Sequence, residues 1–229
     1  MVPALLYLLF KKLWKQDLQI KKIRPFALLL TRSNQLFFAL LILLLLMTFV
    51  LSAQKQVRHY KIMRKGSEVG WENIEKQTDS NTTTFSMGTE VKITFLFSYE
   101  STAKEISEFK DGKLQHSYYY RKTNGNVKAD RHTYLVNNGY EVGEGDKVKL
   151  NIAPVSYNTL CMYFQEPINI SKVYSDNHQC FLEIVKGTDG GYSFTSADGI
   201  TNTFYYRSGI CYKVKIDHRF YSAVLLLKS

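Results

Sequence analysis

The stretch Phe109–Val136, FKDGKLQHSYYYRKTNGNVKADRHTYLV, decides the fold class. It contains Asp111-Gly112 and Asn124-Gly125, dipeptides that favour two-residue turns between antiparallel strands. Short runs rich in Tyr, Val, Ile and Thr alternate with Gly-containing turns through most of the chain after residue 57. This pattern predicts an all-β fold, an antiparallel up-and-down meander of about ten strands. Because a long meander exposes its edges, we expect it to curl into a barrel or half-barrel.

One segment departs from the strand pattern. Pro154 and Pro167 bound a run in which apolar residues lie at helical spacing and Ser156 is a suitable N-cap, so we predict one short helix there. The last run, residues 220–228, reads FYSAVLLLK, and as a strand it would carry apolar residues on both faces. Such a strand is typically covered on both sides, which favours closure of the sheet.

Residues 36–53 carry no charged side chain and end in Ser52 and Ala53. They follow residues 1–35, a basic extension that holds +6 of the formal net charge of +10. A basic flank, an apolar core and small residues are typical of a signal peptide. An apolar run of this length also reaches the lower limit, about 17 residues, for a transmembrane helix. In both cases the basic flank stays in the cytoplasm, so we expect residues 58–228 to form an exported β domain.

We therefore expect the β domain to lie in the periplasm or outside the cell. If residues 36–53 are not cleaved, they anchor the protein to the inner membrane, and we expect no other membrane contact. The basic extension is either a cytoplasmic segment or the product of a start codon assigned too far upstream, because no Met occurs between Met1 and Met47. Most of the positive charge therefore lies outside the folded domain, which argues against nucleic-acid binding.

The register of the two hairpins predicts a candidate site. If both turns hold two residues and no bulge follows, Glu105, Tyr118 and Arg131 form one row across three strands. The neighbouring polar row then holds Ser107, His116 and Thr133. Apolar residues flank both rows on the same face, and the charged residues at the intervening positions face solvent. A carboxylate, a phenol, a guanidinium and an imidazole would thus converge in the concave face of the sheet.

Such a face suits a small ligand, which needs apolar walls and a few polar anchors. Arg131 is suited to hold a carboxylate or phosphate group, with Glu105 keeping its side chain extended. The alternative is an ordinary cross-strand ion pair between Glu105 and Arg131 with no ligand. A bulge at either turn would turn the set outward. In this register His116 and His132 lie on opposite faces, so we predict neither a metal site nor a cofactor.

The three cysteines leave two alternatives open. A bridge between Cys180 and Cys211 suits an oxidising compartment and leaves Cys161 free. Simple burial of the thiols as small apolar side chains is the other alternative.

Four motifs resemble a domain family of unknown function found in secreted proteins of Gram-negative bacteria. They are LSAQ at residues 51–54, YKIMRKGSEVG at 60–70, FKDGKL at 109–114 and YYRSGICYKVKI at 205–216. The resemblance covers residues 58–228. It implies a β domain on the outer side of the membrane, with a shape similar to lipocalin or LolA-type lipid carriers, and it implies no known activity.

Three functions fit these observations. The first is a carrier that binds an apolar or amphipathic small molecule, such as a lipid, in the concave face. The second is a structural or protein-interaction module with an interior filled by side chains and another envelope protein as its partner. The third is a hydrolase or isomerase in which His116 and Glu105 act as acid and base. A concave pocket larger than about 300 Å³ separates the first function from the second.

Overall fold

The computed structural model describes Phe37 and residues 53–94, 98–137, 139–145 and 147–228. The chain divides into two units, Met1–Leu51 and Ser52–Ser229, and every strand lies in the second. The predicted extension and nearly all of the predicted leader lie outside the described residues. Among the described residues, no helix has the length and apolarity needed to cross a membrane.

The described residues form fifteen strands and a short 3₁₀ turn, here called η1. The strands are β1 Ala53–Arg64, β2 Ser67–Asp79, β3 Thr82–Thr94, β4 Ser98–Lys110, β5 Lys113–Thr123, β6 Asn126–Val136, β7 Gly139–Gly143, β8 Val148–Leu150, β9 Lys172–Ser175, β10 Cys180–Glu183, β11 Val185–Lys186, β12 Tyr192–Thr195, β13 Thr201–Arg207, β14 Ile210–His218 and β15 Tyr221–Leu227. The turn η1 spans Cys161–Tyr163.

Thirteen strands form one antiparallel sheet in the order β11-β12-β13-β14-β15-β1-β2-β3-β4-β5-β6-β7-β8, and β9 and β10 form a separate ribbon. The all-β meander is confirmed, with more strands than predicted and without closure of the sheet. The last strand, β15, pairs with both β14 and β1. Its apolar character therefore suits a central position between two neighbours, and the ends of the sheet are the short strands β8 and β11, which offer little edge for unwanted pairing.

Bulges accompany the turns that contain glycine. Four two-residue turns have positive φ at both positions and are followed by an unpaired residue three positions after the glycine. The turns and their bulged residues are Lys65-Gly66 with Val69, Asp111-Gly112 with Gln115, Asn124-Gly125 with Lys128, and Ser208-Gly209 with Tyr212. The turns at Ser80-Asn81 and Arg219-Phe220 lack glycine, and their strands pair without a shift. Because each bulge adds right-handed twist, the glycine turns also curl the sheet.

The inner face of the sheet wraps around residues 151–184, here called the filling segment. Val155, Met162 and Tyr174 are fully buried. The hydroxyl of Tyr206 on β13 donates to the carbonyl of Met162, with 2.6 Å between the oxygens. On the other side, Tyr174 packs against β7 and its hydroxyl lies 3.3 Å from that of Thr133 on β6. The filling segment therefore contacts both halves of the sheet and completes the core.

The predicted helix is reduced to η1. Asn158 forms an isolated β-bridge with Tyr174, and the N–H of Tyr174 donates to the carbonyl of Tyr157 at 3.1 Å. This pairing holds the backbone extended after Ser156, so Ser156 cannot cap a helix. Leu160 occupies the N-cap position of η1 instead.

The bulge in β5 anchors the filling segment. The backbone N–H of Leu114 donates to the carbonyl of Val155 at 2.8 Å. The hydroxyl of Tyr140 donates to the carbonyl of Leu114 at 3.1 Å and accepts from the N–H of Val155 at 2.9 Å. Backbone groups beside an irregular strand position are thus satisfied by the filling segment, as buried polar groups require.

We expect Gly112→Ala to lower the free energy of unfolding by about 1 kcal/mol, because alanine is strained in the left-handed region. Gly112 has φ of 72°, and a Cβ there would meet nothing within 4 Å, so backbone strain alone is tested. Gly145→Ala is the matched control, since that site is equally open and has no positive φ. Urea unfolding monitored by circular dichroism measures both, and equal losses would contradict the strained-turn account.

Candidate functional site

The extra residue Gln115 reverses which side chains of β5 face inward. The prediction that Tyr118 and His116 point into the concave face is wrong, because the bulge shifts the register by one residue. A second bulge at Lys128 keeps the inward residues of β6 as predicted. The rows across β4, β5 and β6 are therefore Glu105-Tyr119-Arg131 and Ser107-Ser117-Thr133.

Glu105 forms a buried pair of acids with Asp176. Their exposed fractions are 4% and 1%. Thr159 Oγ1 donates to Glu105 Oε1 at 3.4 Å, and Asn158 Nδ2 donates to Asp176 Oδ2 at 2.7 Å. Burial and the charge of Asp176 hold the pKa of Glu105 well above its usual range. Burial also raises the pKa of Asp176, but donated hydrogen bonds oppose that shift.

Asn158 connects the acid pair to the rest of the core. It is fully buried, and its Nδ2 also donates to Ser107 Oγ at 2.8 Å. Its Oδ1 accepts the N–H of Cys161 at 3.2 Å, which begins η1. One side chain thus joins β4, η1 and the turn after β9. The arrangement is a structural network, because every one of these polar groups is shielded from solvent.

A third acid, Glu72 on β2, lies in the same interior with 8% of its surface exposed. Burial raises the pKa of Glu72 to about 7, opposed by a hydrogen bond from Tyr163. Tyr119 takes the position predicted for Tyr118. Burial raises the pKa of Tyr119 to about 12, and Arg121, Glu105, Arg131 and Glu72 all act on its hydroxyl.

Arg131 makes a different contact from the one predicted. Its Nε donates to Glu144 Oε1 at 2.9 Å, on the loop after β7. Glu105 faces Asp176 and Thr159 instead, so Glu105 does not hold the Arg131 side chain extended. The cross-strand ion pair between Glu105 and Arg131 is likewise replaced by the pair with Glu144. A ligand-binding role for Arg131 stays a prediction.

The outer face of β5 and β6 carries the aromatic residues that the bulge moved. The ring of His116 stacks on Tyr134 with 4.5 Å between centroids, and the ring of Tyr118 lies 4.6 Å from that of His132. The prediction that His116 and His132 lie on opposite faces is wrong, since their rings stack at 6.0 Å. Burial and the charge of His132 lower the pKa of His116.

Acid–base catalysis and metal binding both depend on which side chains lie together. His116 and Glu105 lie on opposite faces of the sheet, so they do not share a pocket as an acid and base would have to. Within the described part of the chain, no three His, Cys, Asp or Glu side chains group closely enough to hold a metal ion.

All three cysteines are free thiols, so the predicted bridge between Cys180 and Cys211 is not formed. Cys161 and Cys211 are buried, and Cys180 is exposed. Burial raises the pKa of Cys161 and of Cys211 to about 12. The bulge at Tyr212 turns Cys211 inward, away from the lysine-bearing face on which alternation would place it.

Little in the sequence indicates that Asn158, Asp176 and Glu72 belong to this cluster. Asn158 and Asp176 lie in the filling segment, where no strand alternation indicates a buried face. Glu72 follows Trp71 in a strand whose polar residues point both ways. One usable signal existed: Ser107, Ser117 and Thr133 are small polar residues of similar volume, and matching them across strands would have favoured the bulged register.

The fold and the interior define a class of protein: an open, curled antiparallel β domain whose inner face is filled by its own chain. The chain belongs to the family described as Domain of unknown function (DUF6134), which matches residues 60–228. The resemblance to an uncharacterised β-domain family is therefore confirmed.

Among solved structures, the chain is similar to the crystal structure of a beta-barrel-like protein of domain of unknown function DUF1849 from Brucella abortus. The two share 13% sequence identity at a TM-score of 0.46, over 78% of this chain and 97% of that chain. No curated protein matches the sequence.

Proposed function

We propose that this domain acts through its surface, as a structural or interaction module of the cell envelope, and not by enclosing a small ligand. The observation that carries the proposal is the filling segment, which occupies the inner face where a carrier would hold its cargo. Val155, Asn158, Met162 and Tyr174 are each 0% exposed beneath the sheet. A ligand at this position would have to displace them and break the core.

Two of the side chains predicted to anchor a ligand support the same proposal because they already have partners. Glu105 accepts a hydrogen bond from Thr159, and Arg131 pairs with Glu144. Anchors that orient a ligand need free donors or acceptors within a pocket. A groove of about 960 Å³ does open beside Gly139 and Leu150, but it lies at the sheet edge and is open to solvent.

Acid–base catalysis receives less support. Glu105 and Asp176 form a buried pair of acids, as some catalytic groups do, yet a catalytic acid has to reach its substrate. Both carboxyls are covered by the filling segment, with exposed fractions of 4% and 1%. We therefore assign the pair to stability. For localisation, residues 36–53 support export to the periplasm or beyond, with release or anchoring to the inner membrane both consistent with the sequence.

Native mass spectrometry of the protein purified from its own envelope tests the proposal. We expect the mass of the polypeptide alone, because the interior has no room for a lipid. Arg131→Ala should leave that mass pattern unchanged and cost at most about 1 kcal/mol of stability, as expected for a partly exposed ion pair. A stoichiometric lipid or other small molecule in the wild-type spectrum would overturn the proposal.

Hydrogen exchange distinguishes a permanent filling segment from a lid that opens. The N–H of Thr159 donates to the carbonyl of Tyr174 at 3.0 Å. The N–H of Tyr174 in turn donates to the carbonyl of Tyr157 at 3.1 Å. If the filling segment belongs to the core, these amides should exchange as slowly as those around Leu225 in the central strand. Faster exchange of the whole segment, with the sheet still protected, would support a carrier with a lid.

A further inference from the structure

One end of the sheet gathers aromatic and basic side chains, six of them exposed and three half-buried. The turn between β1 and β2 lies there, because Arg64 pairs with Ser67, and so does the turn between β14 and β15, because His218 pairs with Tyr221. The start of β4 and the end of β5 lie at the same end. The aromatic end, as it is called below, comprises Arg64, Lys65, Tyr99, Arg121, Lys122, His218, Arg219, Phe220 and Tyr221.

The curl of the sheet brings these residues together although their strands are far apart in the sheet order. The charged and phenolic groups that act on the Tyr221 hydroxyl are Tyr99, Asp198, Arg121 and Arg64. They come from β4, the turn after β12, β5 and β1. These four groups therefore lie near the Tyr221 hydroxyl.

Phe220 is the most prominent feature of the aromatic end. It lies at the tip of a two-residue turn with 73% of its surface exposed, and Tyr99 and Tyr221 are 43% and 39% exposed. The guanidinium of Arg219 lies 4.3 Å from the centroid of the Phe220 ring. The His218 ring lies 5.3 Å from Phe220 and 5.1 Å from Tyr221. Phe220 contributes nothing to the core, and together with Tyr99 and Tyr221 it forms an exposed aromatic group that indicates a contact surface.

The charge of the aromatic end is mainly positive and uncompensated. No carboxylate of the described residues forms an ion pair with any of its lysines or arginines, namely Arg64, Lys65, Arg121, Lys122 and Arg219. Lys92 lies nearby but is paired with Glu90 and Glu100. Asp198, the acid beside Tyr221, already accepts a hydrogen bond from Ser196. The surface is thus complementary to a negatively charged partner.

We propose that the aromatic end binds the surface of a membrane that contains anionic lipids. Exposed aromatic rings enter the interface between headgroups and acyl chains, and neighbouring arginines and lysines are attracted to anionic headgroups. A few protruding rings surrounded by free cations suit this partner better than a protein, whose stable interface needs about 800 Å² from each side. The inference rests on the proposed function, because it assumes that the domain acts through its surface.

The chain enters the domain at the opposite end. Ala53 pairs with Asp79 at the beginning of β1, and the 12 residues of β1 span about 40 Å. The aromatic end therefore lies at the end of β1 that is farther from Ala53.

Fluorescence of a tryptophan placed at the tip tests the inference in the full chain. With Phe220→Trp, we expect vesicles of phosphatidylglycerol to shift the added emission to shorter wavelength, and brominated acyl chains to quench it. Vesicles of phosphatidylcholine should have little effect. Ile210→Trp is the matched control, since Ile210 is 45% exposed and lies in the turn at the opposite end. The unsubstituted protein corrects for Trp14 and Trp71.

Charge reversal supplies the second variant. Lys65→Glu with Arg219→Glu, added to Phe220→Trp, should weaken the response at least about tenfold, because each basic residue near the surface contributes about 1 kcal/mol. A response that is absent with anionic vesicles, or equal at positions 220 and 210, would overturn the inference. Failure of the membrane inference would leave the native mass spectrum unchanged. A lipid bound inside the domain would instead overturn the proposed function and leave the fluorescence response at position 220 unchanged.

Discussion

Asn158→Ala is expected to lower the free energy of unfolding by about 4 kcal/mol. The substitution removes the donors to Ser107 and Asp176 and the acceptor for the N–H of Cys161. It leaves the Asp176 carboxyl group and a backbone N–H buried without those partners, and it opens a small cavity in a fully buried site. Thermal and urea unfolding, each followed by circular dichroism, measure the loss.

Asn151→Ala is the matched control, because Asn151 is exposed at the end of β8. Its expected effect is within about 0.5 kcal/mol. If both variants lost the same small amount, Asn158 would not be the connection between β4, η1 and the turn after β9. A large loss for Asn158→Ala alone would support the assignment of the buried acids to stability.

The second large effect is a loss of stability as the pH rises. Burial raises the pKa of Glu72 from its usual value of 4.5 to about 7, so the folded state holds this proton more tightly than the unfolded state. The stabilising contribution is complete below about pH 4.5 and is lost as the pH rises through 7. Its size is about 3 kcal/mol. The pKa of Glu105 is raised in the same direction, which adds to the fall.

Unfolding midpoints measured from pH 4.5 to pH 8.5 test this expectation. Glu72→Gln keeps the shape and is always neutral, so it should flatten the profile and stabilise the domain at alkaline pH relative to the wild type. Glu75→Gln is the control, because Glu75 lies at the surface and pairs with Lys55; its profile should follow that of the wild type. A wild-type protein that gained stability between pH 5 and pH 8 would contradict the assignment of a protonated interior.

The sheet could be predicted from the sequence because its main determinants are local. A dipeptide such as Asp111-Gly112 specifies a tight turn, and β-prone residues on each side specify the strands. The bulges could not be predicted from alternation alone. In β5 three tyrosines follow one another at 118–120, so both faces look equally suitable for burial and the register has no clear apolar parity.

The candidate site could be predicted only in part for a related reason. Glu105 and Arg131 lie on strands whose inward residues follow the predicted register, whereas Tyr118 and His116 lie beyond the bulge. The partners of Glu105 come from residues 158–176, which approach through tertiary packing and not through any neighbouring strand. No spacing in the sequence relates Asp176 to Glu105, because the chain between them crosses the whole of β5 to β9.

The pairing of β1 with β15 has a consequence for the order in which the domain is assembled. During synthesis, β1 is the first strand of the domain to emerge and its partner β15 is the last. Until residues 224–227 arrive, one side of β1 exposes unpaired backbone groups that favour association with other chains. Loss of residues 221–227 would therefore remove a central strand of the sheet and not its periphery, and helper proteins that shield β1 would have to act until β15 has been made.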